Sequence, residues 1–300
     1  MKLAGAFTAI VTPFKTSLEV DDGALEALVD AQLAGGISGL VPCGTTGESP
    51  TLDDEEHLGV IKTVIARVAG KVPVIAGTGS NSTREAVTMS KRAAELGADA
   101  VMIVMPYYNK PTPAGLVEHC KQVAVAVGKK PVVLYNVPGR TGIDLMPDAV
   151  EAICQAAPNV IAIKEATGNI VRAQELVRRL GDRLTVLCGD DALTLGMMAV
   201  GAKGVISVTS NVLPREVTEV CELALAGKYD EARRRHLALV PVHDAMFFEA
   251  NPGPVKSLLA DAGVMQPVVR SPLAFPGDAV RAKVREALAT YRASTSGRAR

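Results

Sequence analysis

Short apolar runs alternate with longer amphipathic segments over most of the chain, and this alternation restricts the fold more than any other feature. We predict eight strands, over residues 6–11, 39–43, 72–76, 100–105, 132–135, 160–163, 185–188 and 205–208. Segments long enough for helices separate them. Eight strand–helix units in succession favour a closed parallel (β/α)8 barrel, an α/β fold. An open, doubly wound sheet is the alternative, because alternation alone does not show closure.

The strand pattern stops near residue 227, and three further helices are predicted after it. These helices cover residues 229–245, 254–262 and 278–292. Each carries apolar residues at helical spacing. We therefore predict two domains, a barrel over residues 1–227 and a C-terminal helical domain over residues 228–300.

Charge and cysteine content exclude several classes of function. The chain has 32 Lys and Arg residues and 32 Asp and Glu residues, so its formal net charge is zero. Nucleic acid and anionic membranes are therefore poor partners. The sequence shows neither a signal peptide nor a long apolar segment, and its five cysteines are scattered. These features predict a cytoplasmic protein with reduced thiols.

Lys164 directly follows the apolar run over residues 160–163. Burial penalises the charged form of a lysine and lowers its pKa. Such a lysine either extends to water or serves as a free amine that attacks a carbonyl carbon. In a barrel the active site lies at the C-terminal ends of the strands, and Tyr135 ends the preceding strand there. We expect the amine and the phenol to lie close together.

Other kinds of site find less support in the sequence. The Gly44–Ser49 turn is a weak signal for phosphate, and Gly77-Thr78-Gly79 lacks the third glycine of a dinucleotide motif. We expect no metal site, because the histidines have no metal-ligand spacing and none ends a strand. The histidines are His57, His119, His236 and His243.

Three motifs carry a resemblance to a known family. They are GTTGE at residues 44–48, YNVPGRTG at 135–142 and IKEATG at 163–168. In this order and spacing they resemble the dihydrodipicolinate synthase family, and the likeness extends from Thr12 to Lys256. The family belongs to the pyruvate-dependent class I aldolases and lyases. Within that superfamily, the arginine of the second motif and the Tyr-Tyr-Asn after strand four are typical of the synthases.

The resemblance implies condensation of pyruvate with L-aspartate 4-semialdehyde in lysine and diaminopimelate biosynthesis. Lys164 would form a Schiff base with pyruvate, and Tyr135 would be the general acid and base. Thr45 would link Tyr135 to Tyr108 in a proton relay. In this family the relay tyrosine enters from a neighbouring subunit, and the assembly is a homotetramer built as a dimer of tight dimers.

The resemblance also implies which residues bind substrate. Thr46 and its backbone amide would hold the pyruvate carboxylate, and Arg140 would bind the carboxylate of the second substrate. Gly189 and Ile206 would line the pocket with backbone groups. The covalent imine makes a separate cofactor unnecessary, so none is expected.

Many synthases of this family are inhibited by lysine in a cleft between subunits. Asn81, Glu85 and Tyr107 keep the usual pattern for binding an amino acid there. Asp54 departs from it, since inhibited relatives commonly carry a histidine or an aromatic residue at this position. The matching positions in this chain are Ser49, Pro50, Leu52, Asp54, His57, Asn81, Glu85 and Tyr107.

Two alternative functions stay open at this point. The first is another pyruvate-dependent aldolase or lyase, of the 2-keto-3-deoxy sugar acid or N-acetylneuraminate type, and Arg140 is the residue that discriminates. The second is a non-catalytic barrel that acts as a binding or regulatory subunit. The intact set of Lys164, Tyr135, Thr45 and Tyr108 argues against the second, because a retired site has no need of a matched relay.

Overall fold

The computed structural model describes residue 1 and residues 3–296, and a parallel sheet surrounded by helices organises this part of the chain. The strands are β1 Gly5–Ala9, β2 Gly39–Val41, β3 Ile75–Gly77, β4 Ala100–Val104, β5 Val132–Asn136, β6 Val160–Glu165, β7 Thr185–Cys188 and β8 Gly204–Ser207. The helices are α1 Asp22–Ala34, α2 Asp54–Val68, α3 Thr83–Glu95, α4 Pro113–Ala126, α5 Pro138–Thr141, α6 Pro147–Ala156, α7 Ile170–Leu180, α8 Thr194–Ala199, α9 Pro214–Leu225, α10 Tyr229–Ala245, α11 Gly253–Asp261 and α12 Asp278–Ser296.

The sheet closes into a barrel. Its strand order is β2-β1-β8-β7-β6-β5-β4-β3, and the paired strands run parallel. The two end strands of that order also meet, because Leu40 N–H donates to the Pro73 carbonyl at 3.0 Å. Gly77 N–H likewise donates to the Pro42 carbonyl at 2.9 Å. The predicted (β/α)8 barrel is thus confirmed, and the open-sheet alternative is wrong.

Alternation along the strands divides the side chains between two apolar layers. On β6, Ala162 belongs to the cluster inside the barrel, whereas Ile163 packs in the outer layer under the helices. Lys164 lies two residues after Ala162 and therefore points into the barrel at its C-terminal end. The interior cluster consists of Leu3, Phe7, Ala9, Val41, Ile75, Ala100, Met102, Val133, Tyr135, Val137, Ala162, Leu187 and Ile206.

Strands β1, β2 and β3 are shorter or shifted relative to the prediction, and three further elements differ from it. Strand β6 continues through Lys164 to Glu165, beyond the apolar run that predicted it. The segment predicted as one helix over residues 192–200 begins as a 3-10 turn, Asp191–Leu193, before α8. Helix α5 was not predicted, because one turn is too short to show helical spacing. Its start is favoured by Pro138 at the first position, and Gly142, with φ of 71°, ends it.

The three predicted C-terminal helices are present as α10, α11 and α12. Helix α10 packs against both α9 and α12, so the extension continues the helical layer around the barrel. The proposed domain boundary at residues 227 and 228 stays a prediction, and residues 297–300 lie outside the described residues. No helix in the described part of the chain is long and apolar enough to cross a membrane.

A buried ion pair joins the turn after β2 to the C-terminal extension. Lys256 Nζ contacts the Glu48 carboxylate, both side chains are fully buried, and 208 positions separate them in the sequence. Burial lowers the pKa of Lys256 to about 8, and the Glu48 carboxylate opposes that shift. Arg270 N–H donates to the second oxygen of Glu48 at 2.9 Å. The carboxylate is therefore held on both oxygens by residues of the extension.

Replacing Lys256 with methionine should destabilise the protein by about 3–5 kcal/mol, because it leaves the Glu48 carboxylate buried without its charged partner. Urea unfolding of wild type and Lys256→Met measures this difference. The double variant Lys256→Met with Glu48→Gln should regain most of the loss, since it buries no charge at this position. A single variant as stable as wild type would contradict the importance of the pair.

Candidate active site

Lys164 and Tyr135 face each other where β5 and β6 pair. The register places Tyr135 opposite Lys164. Lys164 Nζ lies 4.4 Å from the centre of the Tyr135 ring, and each side chain is 5% exposed. Within the part of the chain that the structure describes, Lys164 Nζ forms no hydrogen bond or ion pair. An amine and a phenol thus lie in contact inside the barrel, as expected from the two strand ends.

Gly189, just after β7, leaves room for the lysine side chain. A Cβ at this position would lie 3.1 Å from Lys164 Cε and 2.6 Å from Ala166 Cβ. A larger residue here would therefore clash with Ala166 and crowd the lysine side chain. Ile206 on β8 is 1% exposed and belongs to the interior cluster, on the same face of the sheet.

Thr45 and Tyr135 share a small cavity of about 30 Å³. This volume is sufficient for a water molecule. The hydroxyl and the phenol that the sequence analysis joined in a relay therefore border one space. The cavity is lined by Cys43, Gly44, Thr45, Ser49, Gly77, Thr78, Gly79, Met102, Val104 and Tyr135.

A larger cavity of about 560 Å³ lies beside it, and its volume is typical of a site for a small molecule. Thr45 and Arg140 belong to its walls. Asn81 does not; its backbone carbonyl accepts a hydrogen bond from Asn109 Nδ2 at 2.9 Å. The walls also include these members of the predicted lysine site: Ser49, Pro50, Leu52, Asp54, His57, Glu85 and Tyr107.

Charges of both signs line the larger cavity. Arg140, on α5, is exposed, as are the carboxylates of Asp54 and Glu85. Glu85 accepts a hydrogen bond from the Ser80 hydroxyl at 2.8 Å. Burial lowers the pKa of His57, whose Nε2 lies 2.7 Å from the Gly77 carbonyl. His57 is therefore a neutral group at neutral pH. The cavity offers two arginines, Arg84 and Arg140, and two carboxylates to a charged ligand.

Tyr108 does not join Thr45 and Tyr135 within this chain. Its side chain is 88% exposed, and it lines neither cavity. Its φ is 72°, a left-handed conformation that is strained for a bulky residue. Its N–H donates to the Thr141 carbonyl at 3.3 Å, so the strained loop is tied to α5. The structure thus presents this tyrosine to the exterior of the chain.

The turn that carries Thr45 and Thr46 is fixed from two sides. The Thr12 hydroxyl donates to the Gly47 carbonyl at 2.7 Å. Asn251 Nδ2 donates to Thr46 Oγ1 at 3.0 Å. Sequence reasoning assigned no role to Thr12 or Asn251. The one available signal was that the family likeness begins at Thr12 and includes Asn251.

A second polar network, also missed by sequence reasoning, fixes the ends of β5 and β6. Asn136 Nδ2 donates to Asp144 at 2.9 Å and to Glu165 at 3.3 Å. Arg172 donates to both oxygens of Asp144, each at 3.0 Å. Burial raises the pKa of Glu165. Asn136 and Glu165 directly follow the tyrosine and the lysine in sequence, so the network restricts the positions of both reactive groups.

The fold and the site together define a class of protein. It is a (β/α)8-barrel enzyme with a lysine and a tyrosine in contact at the C-terminal ends of adjacent strands. Among the described residues, no group of three or more histidine, cysteine or acidic side chains is placed to hold a metal ion.

The chain belongs to the dihydrodipicolinate synthetase family, whose family model matches residues 2–291. It is 58% identical over 289 residues to the 4-hydroxy-tetrahydrodipicolinate synthase of Sorangium cellulosum, with 96% of both chains covered. Its fold is similar to the dihydrodipicolinate synthase of Aquifex aeolicus, with a TM-score of 0.94, 45% identity, and coverage of 97% of this chain and 98% of that one. The family prediction is confirmed. The relatives support synthase function, which is a lyase activity, and favour neither alternative.

Two further structural neighbours were crystallised with small molecules. The chloride-inhibited synthase of Acinetobacter baumannii is complexed with pyruvate; it has a TM-score of 0.95 at 42% identity and covers 97% of this chain and 99% of its own. The synthase of Cyanidioschyzon merolae has lysine bound. Its TM-score is 0.93 at 37% identity, over 96% of this chain and 98% of that one.

Proposed function

We propose that the chain condenses pyruvate with L-aspartate 4-semialdehyde through an imine on Lys164, in lysine and diaminopimelate biosynthesis. The observation that carries this proposal is the contact of Lys164 Nζ with the Tyr135 ring, 4.4 Å from its centre, in a member of this family. The relatives' function and the pyruvate complex of the Acinetobacter baumannii neighbour support it.

The chemistry requires one nucleophile and a group that moves protons. The free amine of Lys164 attacks the ketone carbon of pyruvate, and loss of water gives the imine. The protonated imine withdraws electrons, so a proton leaves the methyl carbon and an enamine forms. The enamine carbon then attacks the aldehyde of the second substrate. The Tyr135 phenol, in contact with the lysine, can give and take these protons, and Thr45 borders the same small cavity.

The carboxylates of the two substrates would be bound by different residues. Thr46 would hold the pyruvate carboxylate, while Gly189 and Ile206 bound the space around the imine. Arg140, exposed on α5 in the wall of the larger cavity, would bind the carboxylate of the second substrate. A guanidinium suits this task because it donates two parallel hydrogen bonds to a carboxylate. No metal and no separate cofactor takes part in this mechanism.

The exposed Tyr108 supports assembly with other copies of the chain. We propose that it enters a neighbouring subunit's site and completes the relay through Thr45 to Tyr135. A homotetramer, arranged as a dimer of tight dimers in the cytoplasm, accommodates this exchange. The balanced charge of the chain supports small molecules, rather than nucleic acid or membranes, as its other partners.

The larger cavity is our proposed site for lysine as an effector. Lysine carries two ammonium groups and one carboxylate, and Asp54 and Glu85 supply carboxylates for the ammonium groups. The lysine complex of the Cyanidioschyzon merolae neighbour supports this proposal. Asp54 adds a charge where inhibited relatives commonly carry a histidine or an aromatic residue.

Borohydride reduction in the presence of pyruvate should add the mass of one reduced pyruvate to Lys164. The reduction converts the imine to a stable amine, which mass spectrometry of a digest locates. Lys164→Ala should lose both the adduct and activity. Lys203→Ala, which removes an exposed lysine at the opposite end of the barrel, should retain both. Wild type without an adduct at Lys164 would overturn the proposed function.

Tyr108→Phe should lower kcat by about 10²–10⁴-fold, the usual contribution of a proton-transferring group. Co-expressed with Lys164→Ala, it should regain about a quarter of wild-type activity. Half of randomly formed dimers are mixed, and one of the two sites in each is then intact. The control is co-expression of Tyr135→Phe with Lys164→Ala. Each of these changes inactivates the site of the subunit that carries it, so mixed dimers contain no intact site and no activity should return. Failure of the first pair to recover would place Tyr108 outside the neighbouring site.

L-Lysine should inhibit the enzyme, and Glu85→Gln should weaken that inhibition about tenfold by removing a charged acceptor. Activity titrated with lysine into the millimolar range measures both effects. Glu95→Gln, at the other end of α3, is the matched control and should leave inhibition unchanged. A flat titration of wild type would exclude lysine as an effector.

A further inference from the structure

We infer that Asn251, from the C-terminal extension, is a positioning residue that orients the Thr46 hydroxyl as a hydrogen-bond donor to the substrate carboxylate. This inference rests on the proposed function, in which Thr46 binds pyruvate. It assigns to the extension a direct part in recognising the keto acid.

The Asn251 side chain forms a hydrogen bond to Thr46. It is 5% exposed, and its Nδ2 donates to Thr46 Oγ1 at 3.0 Å. Its Oδ1 is buried and has no hydrogen-bond partner in the part of the chain that the structure describes. An unsatisfied buried oxygen lowers the stability of the fold, so stability alone does not explain an asparagine at this position. Its one hydrogen bond is the one that reaches the substrate-binding turn.

The direction of that hydrogen bond determines what Thr46 can do. An amide nitrogen only donates, so it occupies a lone pair of the threonine oxygen. The hydroxyl hydrogen then points elsewhere, and no described residue of the chain accepts it. Thr46 is 3% exposed and lines neither of the two cavities. Its hydrogen thus has no acceptor within the described chain, and a carboxylate oxygen of bound pyruvate would supply one.

The extension holds Asn251 in place along the turn. Lys256, five residues after Asn251, pairs with Glu48, two residues after Thr46. The segment over residues 251–256 is thus joined to the turn at two points. From the other side, the Thr12 hydroxyl donates to the Gly47 carbonyl between those points. The turn has little freedom to move away from the amide.

Asn251→Asp tests the direction of the hydrogen bond with almost no change in shape. A carboxylate accepts where the amide donated, so it would draw the Thr46 hydrogen away from the substrate and oppose its charge. We expect KM for pyruvate to rise about 10- to 100-fold, with a smaller change in kcat, since a hydrogen bond to a charged group is lost. Borohydride trapping on Lys164 should need correspondingly more pyruvate.

A double-mutant cycle shows whether Asn251 acts through Thr46. Thr46→Val should raise KM, and adding Asn251→Ala to it, which introduces no charge, should raise KM no further. Asp261→Asn is the control, because it breaks ion pairs to Arg281 and Arg285 within the same extension. It should lower Tm and leave KM unchanged.

The outcomes separate this inference from the proposed function. A wild type that forms the pyruvate adduct, with an unchanged KM in Asn251→Asp or additive effects in the cycle, overturns the role of Asn251 alone. A wild type without the adduct overturns both. If Asn251→Asp does not fold, Asn251→Ala takes its place. It should give a smaller rise in KM that again disappears in the Thr46→Val background.

Discussion

The pairing register between β5 and β6 is the constraint on which the site depends. It starts with Val132 opposite Val160, and a register shift follows, because Val133 pairs with Ala162. Without that shift Tyr135 would lie opposite Ile163, whose side chain packs in the outer layer. The single extra residue on β6 brings the lysine opposite the tyrosine, with both side chains inside the barrel. One local irregularity therefore decides whether the amine and the phenol meet.

The barrel and its reactive pair could be predicted because their signals are local. Apolar runs mark buried parallel strands, and the rule that active sites lie at the C-terminal strand ends places Lys164 and Tyr135 together. The predicted C-terminal end of β6 came two residues too early, because a lysine and a glutamate are not typical of a buried strand. Helix α5, which carries Arg140, was missed because a single turn has no periodicity. The motifs gave the family, and the comparisons confirmed it.

The contacts that hold the substrate-binding turn could not be predicted from local pattern. Glu48 and Lys256 are 208 positions apart, and Thr46 and Asn251 are 205 apart. A lysine in an amphipathic helix normally indicates a solvated face, whereas Lys256 is fully buried. The environment of Tyr108 in an assembly is likewise absent from any single chain. Long-range polar contacts appear only when the fold brings the residues together.

The buried Glu48–Lys256 pair has a consequence for protein synthesis. A ribosome adds about 5–20 residues per second, so roughly 10–40 s separate the appearance of the turn from that of its partner. Throughout that interval the nascent chain carries a carboxylate whose burial has no compensating cation. The barrel strands can pair earlier, but the turn reaches its final state only after the extension has emerged. Acquisition of activity should therefore be among the last events in the biogenesis of the protein.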